Sequence, residues 1–357
     1  MTLFHPLTVT GVRRDTRDSV VLTLSPPPDR AEKFQFTQGQ YLTLRTHIDG
    51  EEVRRSYSIC AAPFEKCLRI GVKHAAGGLF STWANRDIGP GAVIEAMAPM
   101  GAFHMPLDAG HARTYAGFAA GSGITPLISI IKAVLREEAE SRFILFYGNR
   151  ASSTIMFREE LEDLKNENLT RLSIIHILSR EHQDIDLLNG RLTREKCDAL
   201  LERWIGGTKI DAAFICGPQS MMHDVSESLA AHGLDRKNIK FELFAAAGAP
   251  DEKRAARAEA AAQAHSCRAT IIIHGLSRSF DFQKNTRPVL EAGLAEGLEL
   301  PFACKAGVCS SCRAKLIEGE VDMDANFALE DYEIARGYIL TCQSYPVTDR
   351  IVVDYDK

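Results

Sequence analysis

A chain of 357 residues, set against roughly 100–200 residues per domain, leaves room for two or three domains. It is 45% apolar and 25% charged, enough to bury real cores, and its 42 basic against 47 acidic side chains (net −5) offer no basic excess for a nucleic acid. No apolar run approaches the roughly 18–20 residues that a bilayer crossing needs, and Met1-Thr2-Leu3-Phe4-His5-Pro6 has neither a basic leader nor an apolar signal core, so a cytoplasmic protein without a membrane or nucleic-acid partner is expected.

Residues 1–108 alternate short strands with turns. Val20-Val21-Leu22-Thr23-Leu24 is stopped by Ser25-Pro26-Pro27-Pro28-Asp29, a run at 41–45 is closed by the hairpin signal Asp49-Gly50, and further runs lie at 68–73 and 93–97. The helix signal here is near 81–85. This predicts a small antiparallel β-barrel, since closure removes exposed strand edges. Within it Arg55-Ser56-Tyr57-Ser58 reads R-x-Y-S, and Gly77-Gly78-Leu79-Phe80-Ser81 opens the helix. A flavin nucleotide needs a cation for its pyrophosphate, a flat ring against its isoalloxazine and free amides at a helix start. Arg55, Tyr57 and the backbone of residues 79–81 can fill those roles; R-x-Y-S alone is equally an edge strand with an exposed arginine. His74 and Cys60 read as structural.

From 109 to 244 the period changes. Strands at 114–120, 143–147, 172–178, 212–216 and 239–244 alternate with helices at 125–138, 157–166, 194–204 and 219–232, which is a doubly wound parallel α/β sheet. Gly121-Ser122-Gly123-Ile124-Thr125-Pro126 lies between the first of these strands and its helix, where glycines let a pyrophosphate approach the backbone. Pro126 departs from the usual dinucleotide fingerprint but is tolerated in a first helical turn. Cys216-Gly217-Pro218-Gln219-Ser220-Met221 follows the fourth strand, with Cys216 either a site thiol or a small buried hydrophobe. The second strand ends Tyr147-Gly148-Asn149-Arg150, without the acid that an NAD ribose usually meets, and the third ends Ser179-Arg180-Glu181. Arg150 and Arg180 together favour NADPH over NADH, unless both are solvated loop charges. Phe244, past the last strand, is either a cover for the flavin face or a core aromatic.

Residues 245–267 contain eleven alanines and read as a linker with partial helical character. Residues 268–357 begin with a strand at 268–274 and its hairpin partner at 279–282, followed by a helix at 287–296. Ten basic and fourteen acidic residues make this segment acidic. Of nine cysteines, five are scattered (Cys60, Cys67, Cys197, Cys216, Cys267), and the odd total argues against a disulfide framework. The other four form Cys304-Lys305-Ala306-Gly307-Val308-Cys309-Ser310-Ser311-Cys312 with Cys342 following after 29 residues, C-x4-C-x2-C…C, the plant-type spacing of a [2Fe-2S] centre. Small residues at 306, 307, 310 and 311 let loop amides approach the sulfurs. Zinc is the alternative, but zinc sites generally pair two C-x2-C elements, and one is present.

The R-x-Y-S, Gly-Gly, G-x-G-x-x-P and C-G-P-x-x-M motifs resemble the ferredoxin–NADP reductase superfamily, and the last 90 or so residues resemble a plant-type ferredoxin, including Leu340-Thr341-Cys342-Gln343. The resemblance implies a flavin barrel, a nicotinamide α/β domain and an α+β, β-grasp ferredoxin domain. It implies Arg55 on the flavin phosphate, Tyr57 stacked on the ring and Ser58 near flavin N5, with Gly77, Gly78, Leu79, Phe80, Ser81 and Thr125 as further flavin contacts. It places Gly121, Gly123, Pro126, Gly217 and Pro218 on the nicotinamide nucleotide, Cys216 beside nicotinamide C4, and Ser179 and Arg180 on a 2′-phosphate. Cys216, Ser58 and Tyr57 are then the candidates for the chemical step. FAD is the usual flavin, FMN occurring in some relatives.

Nicotinamide carries electrons in pairs and a [2Fe-2S] centre takes them singly; a flavin converts between the two. The order flavin, nicotinamide, ferredoxin resembles oxygenase reductases and implies a di-iron oxygenase component as electron acceptor. The alternatives are an NADH-dependent reductase of another mono- or dioxygenase and a non-catalytic redox sensor or electron carrier.

Overall fold

The computed structural model describes residues 3–244, 257 and 265–357. The chain forms two compact units, one of Phe4–Phe244 and one built on Ala245–Lys357.

The first unit opens with six antiparallel strands: β1 (His5–Thr16), β2 (Ser19–Ser25), β3 (Tyr41–Ile48), β4 (Glu51–Ser58), β5 (Leu68–Lys73) and β6 (Val93–Ala96), in the order β4-β3-β6-β1-β2-β5. Ile59 bridges Ile70, and the Cys60 amide donates to the Arg69 carbonyl at 2.8 Å, so the two edges meet and the barrel closes. The Asp49-Gly50 signal does what it predicts: both residues have positive φ, 52° and 85°, and the turn joins Ile48 to Glu51. Alternate residues such as Leu7, Leu22, Leu42, Leu44, Ile70 and Val72 fill the interior. Helix α1 (Leu79–Arg86) adds Phe80 and Ala84 to that core.

The same unit continues as β7 (Thr114–Ala120), α2 (Ile124–Glu137), β8 (Arg142–Asn149), α3 (Arg158–Glu167), β9 (Leu172–Leu178), α4 (Arg194–Trp204), β10 (Ala212–Cys216), α5 (Gln219–Ala231) and β11 (Ile239–Glu242). The strands are parallel in the order β11-β10-β7-β8-β9. The order reverses between β7 and β10, and the carboxyl ends of two such strands bound a ligand crevice. Helix α2 is buried on nearly every side, through polar residues as well as apolar ones; polar α3 buries Leu161 alone. The last strand is shorter than its periodicity predicts: β11 stops at Glu242, Leu243 is buried and Phe244 is 44% exposed.

The second unit has a five-stranded mixed sheet, β13-β12-β18-β14-β16, from β12 (Ser266–Ile273), β13 (Leu276–Gln283), β14 (Arg313–Glu318), β16 (Tyr338–Leu340) and β18 (Arg350–Asp354). β15 (Val321–Met323) and β17 (Ser344–Pro346) pair separately. β12 runs parallel to β18 and antiparallel to β13, and helix α6 (Val289–Ala295) shares their core through Val289 and Leu290. A short α7 (Asp331–Ala335) precedes β16. Of the expected linker, residues 245–256 and 258–264 lie outside the described residues. Arg257, within it, bonds Asp322 and Asp324 at 2.6 and 2.7 Å and stacks over the Tyr345 ring.

Candidate functional site

At the crevice between β7 and β10, Cys216 ends β10 and pairs in parallel register with Glu242 at the end of β11. A Cβ on Gly123 would fall 2.1 Å from the Cys216 carbonyl, so the glycine turn and the cysteine can share this space only while residue 123 has no side chain. Ser58, at the end of β4, donates its hydroxyl to Glu242 Oε2 at 3.0 Å. Three side chains from three strands, Ser58, Cys216 and Glu242, therefore converge where barrel and α/β sheet meet. Burial pushes the Glu242 carboxyl up to about 8, so it is mostly protonated at neutral pH. Burial, reinforced by Glu242, pushes the Cys216 thiol well up, and it stays a neutral thiol. Glu242 escapes a motif search; the available signal is a lone carboxylate in Phe241-Glu242-Leu243-Phe244, at a strand's carboxyl end.

On the barrel, Tyr57 packs on Phe80 with ring centroids 5.1 Å apart, and burial raises its phenol. Arg55, two residues earlier on β4, is exposed and donates to the Arg54 carbonyl at 2.7 Å. Gly77 has φ +74°, and a Cβ on Gly78 would lie 2.6 Å from Ser81 Oγ. Ser81 Oγ holds this turn from inside, accepting from the Ala75 amide and donating to the Gly78 carbonyl. The Phe80 and Ser81 side chains are thus committed to the fold, and what this turn can offer a ligand is the unpaired amides of the first turn of α1. A cation, a half-buried ring and a glycine-opened helix on one barrel face fit a flavin nucleotide. Thr125 stands apart from that cradle: its hydroxyl donates to the Ser122 carbonyl at 2.9 Å, and its methyl abuts Gly71 on the barrel.

A cavity of about 550 Å³ opens beside the glycine turn. Its walls bring together Gly121, Arg150, Ser179, Arg180 and Pro218, which the sequence predicts, and Lys73 and Arg191, which it does not. His74, read as structural, lines it as well. Gly121 has φ +54° with open space at its Cβ position, and Tyr147 donates to its carbonyl at 2.9 Å. Pro126 is buried in the first turn of α2, and Gly217 packs on Met221 and Ala120. Burial, with Arg150 nearby, lowers the Lys73 ammonium. The neighbouring acid Glu181 is turned away, accepting from the amide and hydroxyl of Ser152 at 2.8 and 3.0 Å. Among the described residues the buried Asn149 amide has no hydrogen-bond partner. A cationic hollow with an unsatisfied amide in its wall fits a phosphorylated nucleotide.

In the second unit Cys309, Cys312 and Cys342 are buried and Cys304 partly so. Cys309 donates to Cys304 Sγ at 3.1 Å; this bond, with the amides of Ala306, Cys309 and Val308, holds the Cys304 thiol below its ordinary range. A bond from Cys312, with the Gly307 amide, likewise lowers Cys342. Gly307 sits at φ +72°, where a Cβ would meet the Ala325 carbonyl at 2.7 Å. The thiols form two pairs, 304/309 and 312/342, and among the described residues no three Cys, His or acidic side chains close on a single ion. Two pairs suit two irons better than one zinc.

Comparison with known proteins agrees. Family models match an oxidoreductase FAD-binding domain over residues 7–105, an oxidoreductase NAD-binding domain over 118–227 and a 2Fe-2S iron-sulfur cluster binding domain over 271–347. The chain is 41% identical to one of the subunits of the 1,2-phenylacetyl-CoA epoxidase from Escherichia coli K12, covering 100% of this chain and 99% of that one. It is 30% identical to the ferredoxin reductase component of 3-ketosteroid-9-alpha-monooxygenase from Rhodococcus rhodochrous, over 98% of this chain and 96% of the other. Phthalate dioxygenase reductase shares the fold at 24% identity and TM-score 0.60, over 98% of both chains. A self-sufficient cytochrome P450 monooxygenase does so at 19% identity and TM-score 0.71, over 98% of this chain and 41% of that one. The cofactors are FAD, a pyridine nucleotide and a [2Fe-2S] cluster, and the chain belongs to the family of oxygenase reductase components.

Proposed function

We propose that this chain takes electrons from NADPH and delivers them to a di-iron phenylacetyl-CoA epoxidase in the cytoplasm. The observation that carries the acceptor is end-to-end identity of 41% with a component of the Escherichia coli epoxidase. The choice of NADPH rests on Arg150 and Arg180 at the cavity wall, with Glu181 engaged by Ser152 and no acid at the end of β8. Nine cysteines, five outside the cluster loop and none in a disulfide, suit a reducing compartment.

In this reading Arg55 and the first-turn amides of α1 hold the flavin pyrophosphate, and Tyr57 supports the ring. The glycine turn at 121–123 faces the nicotinamide pyrophosphate, and Arg180 with Ser179 takes the 2′-phosphate. When bound, the flavin supplies the conversion of an electron pair into single electrons that the iron centre accepts. Ser58 orients the Glu242 carboxyl, which keeps its proton and adds no charge to the junction. Cys216 supplies a neutral, compact wall against which the nicotinamide ring can lie. Phe244, exposed just past β11, would cover the flavin face. Cys304, Cys309, Cys312 and Cys342 would hold the cluster.

Reconstitution with a purified phenylacetyl-CoA epoxidase core tests the assignment. NADPH-driven epoxide formation supports it; rapid cytochrome c reduction with no coupling to that core refutes the acceptor.

A further inference from the structure

One face of α2 carries Thr125, Ser129, Lys132 and Arg136, spaced i, i+4, i+7 and i+11. Every one of them meets the barrel. The Thr125 methyl would lie 2.9 Å from a Cβ on Gly71, Ser129 Oγ donates to the Ala61 carbonyl at 2.7 Å, and the Arg136 guanidinium lies over the Phe64 ring. Lys132, whose side chain is 6% exposed, sits in a ring of four charges. It donates to Glu65 at 3.1 Å and to Glu160, while Arg69 donates to the same two carboxylates at 3.0 and 2.9 Å. Glu65 and Arg69 belong to the barrel, Lys132 and Glu160 to the α/β sheet, so each half contributes one cation and one anion.

We infer that this polar stripe on α2, centred on Ser129 and Lys132, sets the register of the nucleotide domain on the flavin barrel and so aligns the two halves of the electron-transfer junction. An apolar contact would tolerate sliding; an alternating charge ring and a buried 2.7 Å hydrogen bond fit one arrangement only. The helix connects directly to the junction, because the glycine turn that begins it presses on Cys216 through Gly123. Ser129 and Lys132 touch neither cofactor site and are positioning residues. A misplacement of about 1 Å can cost on the order of 100-fold in a step that demands contact between reacting atoms. The inference rests on nicotinamide and flavin meeting at that junction, and holds whichever nucleotide or oxygenase the protein uses.

The test is stopped-flow flavin bleaching in the full-length holoprotein, with wild type run on NADH and NADPH. Lys132→Met lowers the limiting rate about ten-fold, changes half-saturation by nucleotide less than two-fold and weakens the nicotinamide–flavin charge-transfer absorbance. Lys132→Arg keeps all three at wild-type values. Lys132→Met with Glu160→Gln removes the unpaired charge; its thermal midpoint recovers while bleaching stays slow. Ser129→Ala, the milder change, slows bleaching two- to three-fold and serves if Lys132→Met does not fold. Wild-type rates in the folded variants overturn the inference, as does a rate that recovers together with the midpoint in the double variant. Failure of wild type to bleach with either nucleotide would instead condemn the junction itself.

Discussion

In the proposed function the cysteine loop and the flavin–nicotinamide junction handle the same electrons, but the two are built in opposite ways. Three of the four cluster cysteines fall within nine consecutive residues, and a bond from Cys309, helped by loop amides, already lowers the Cys304 thiol. The junction draws Ser58, Cys216 and Glu242 from three strands spread over nearly two hundred residues of chain, and it depends on the packing of one domain on another. A site written in one loop needs only local geometry. A site assembled from distant strands works only if the whole unit is in register.

The sharpest break of this contrast is Cys309→Ser. It removes a cluster ligand and lowers cytochrome c reduction by about 100-fold or more, while ferricyanide reduction through the flavin persists; loss of both activities would show that the regions are not separable. Next, Glu242→Ala removes the acceptor of the Ser58 hydroxyl and lowers the limiting rate of flavin reduction about ten-fold, whereas Glu242→Gln, which keeps a neutral acceptor, stays within about two-fold of wild type at neutral pH. The pH profile sharpens the point. Burial raises the Glu242 carboxyl from 4.5 to about 8, so the folded protein holds this proton more tightly than the unfolded chain. Its stabilising contribution is complete below 4.5 and is lost as pH rises through about 8, where the flavin-reduction rate of wild type falls; the Gln variant shows neither change. A wild-type rate independent of pH across this interval would remove Glu242 from the junction.

Arg180→Ala has a narrower effect. It raises KM for NADPH about ten-fold, the size of a lost charge-assisted phosphate contact, and moves KM for NADH less than two-fold; equal shifts would count against a 2′-phosphate contact. Smallest is Gly50→Ala. Position 50 has φ +85° and no neighbour within 4 Å of a Cβ, so only backbone strain is added. About 1 kcal/mol of barrel stability is lost, read by denaturant melts, with flavin reduction unchanged.

Much of this was legible in the residues. The Asp49-Gly50 turn, the shift from two-residue to helical periodicity near 112 and the C-x4-C-x2-C spacing are local chemistry, and the structure follows each of them. The end of β11 was not, because Leu243 is apolar enough to prolong a strand pattern while its hydrogen-bonding partners stop at Glu242. Nor were the meeting of Glu242 with Ser58 and the places of Lys73, Arg191 and His74 in the cavity wall: no motif surrounds them, and each gains its place only when distant segments are brought together.

What the sequence alone determined is the set of modules, since glycine turns, cysteine spacing and apolar periodicity act over a few residues and need no distant partner. What only tertiary structure decided is how barrel and nucleotide domain lock together, and with that the protonated carboxyl at their junction. The reason is physical. The buried environment that raises Glu242, and the ring of charges around Lys132, come from groups far apart in the chain, and neither burial nor pairing exists until they meet.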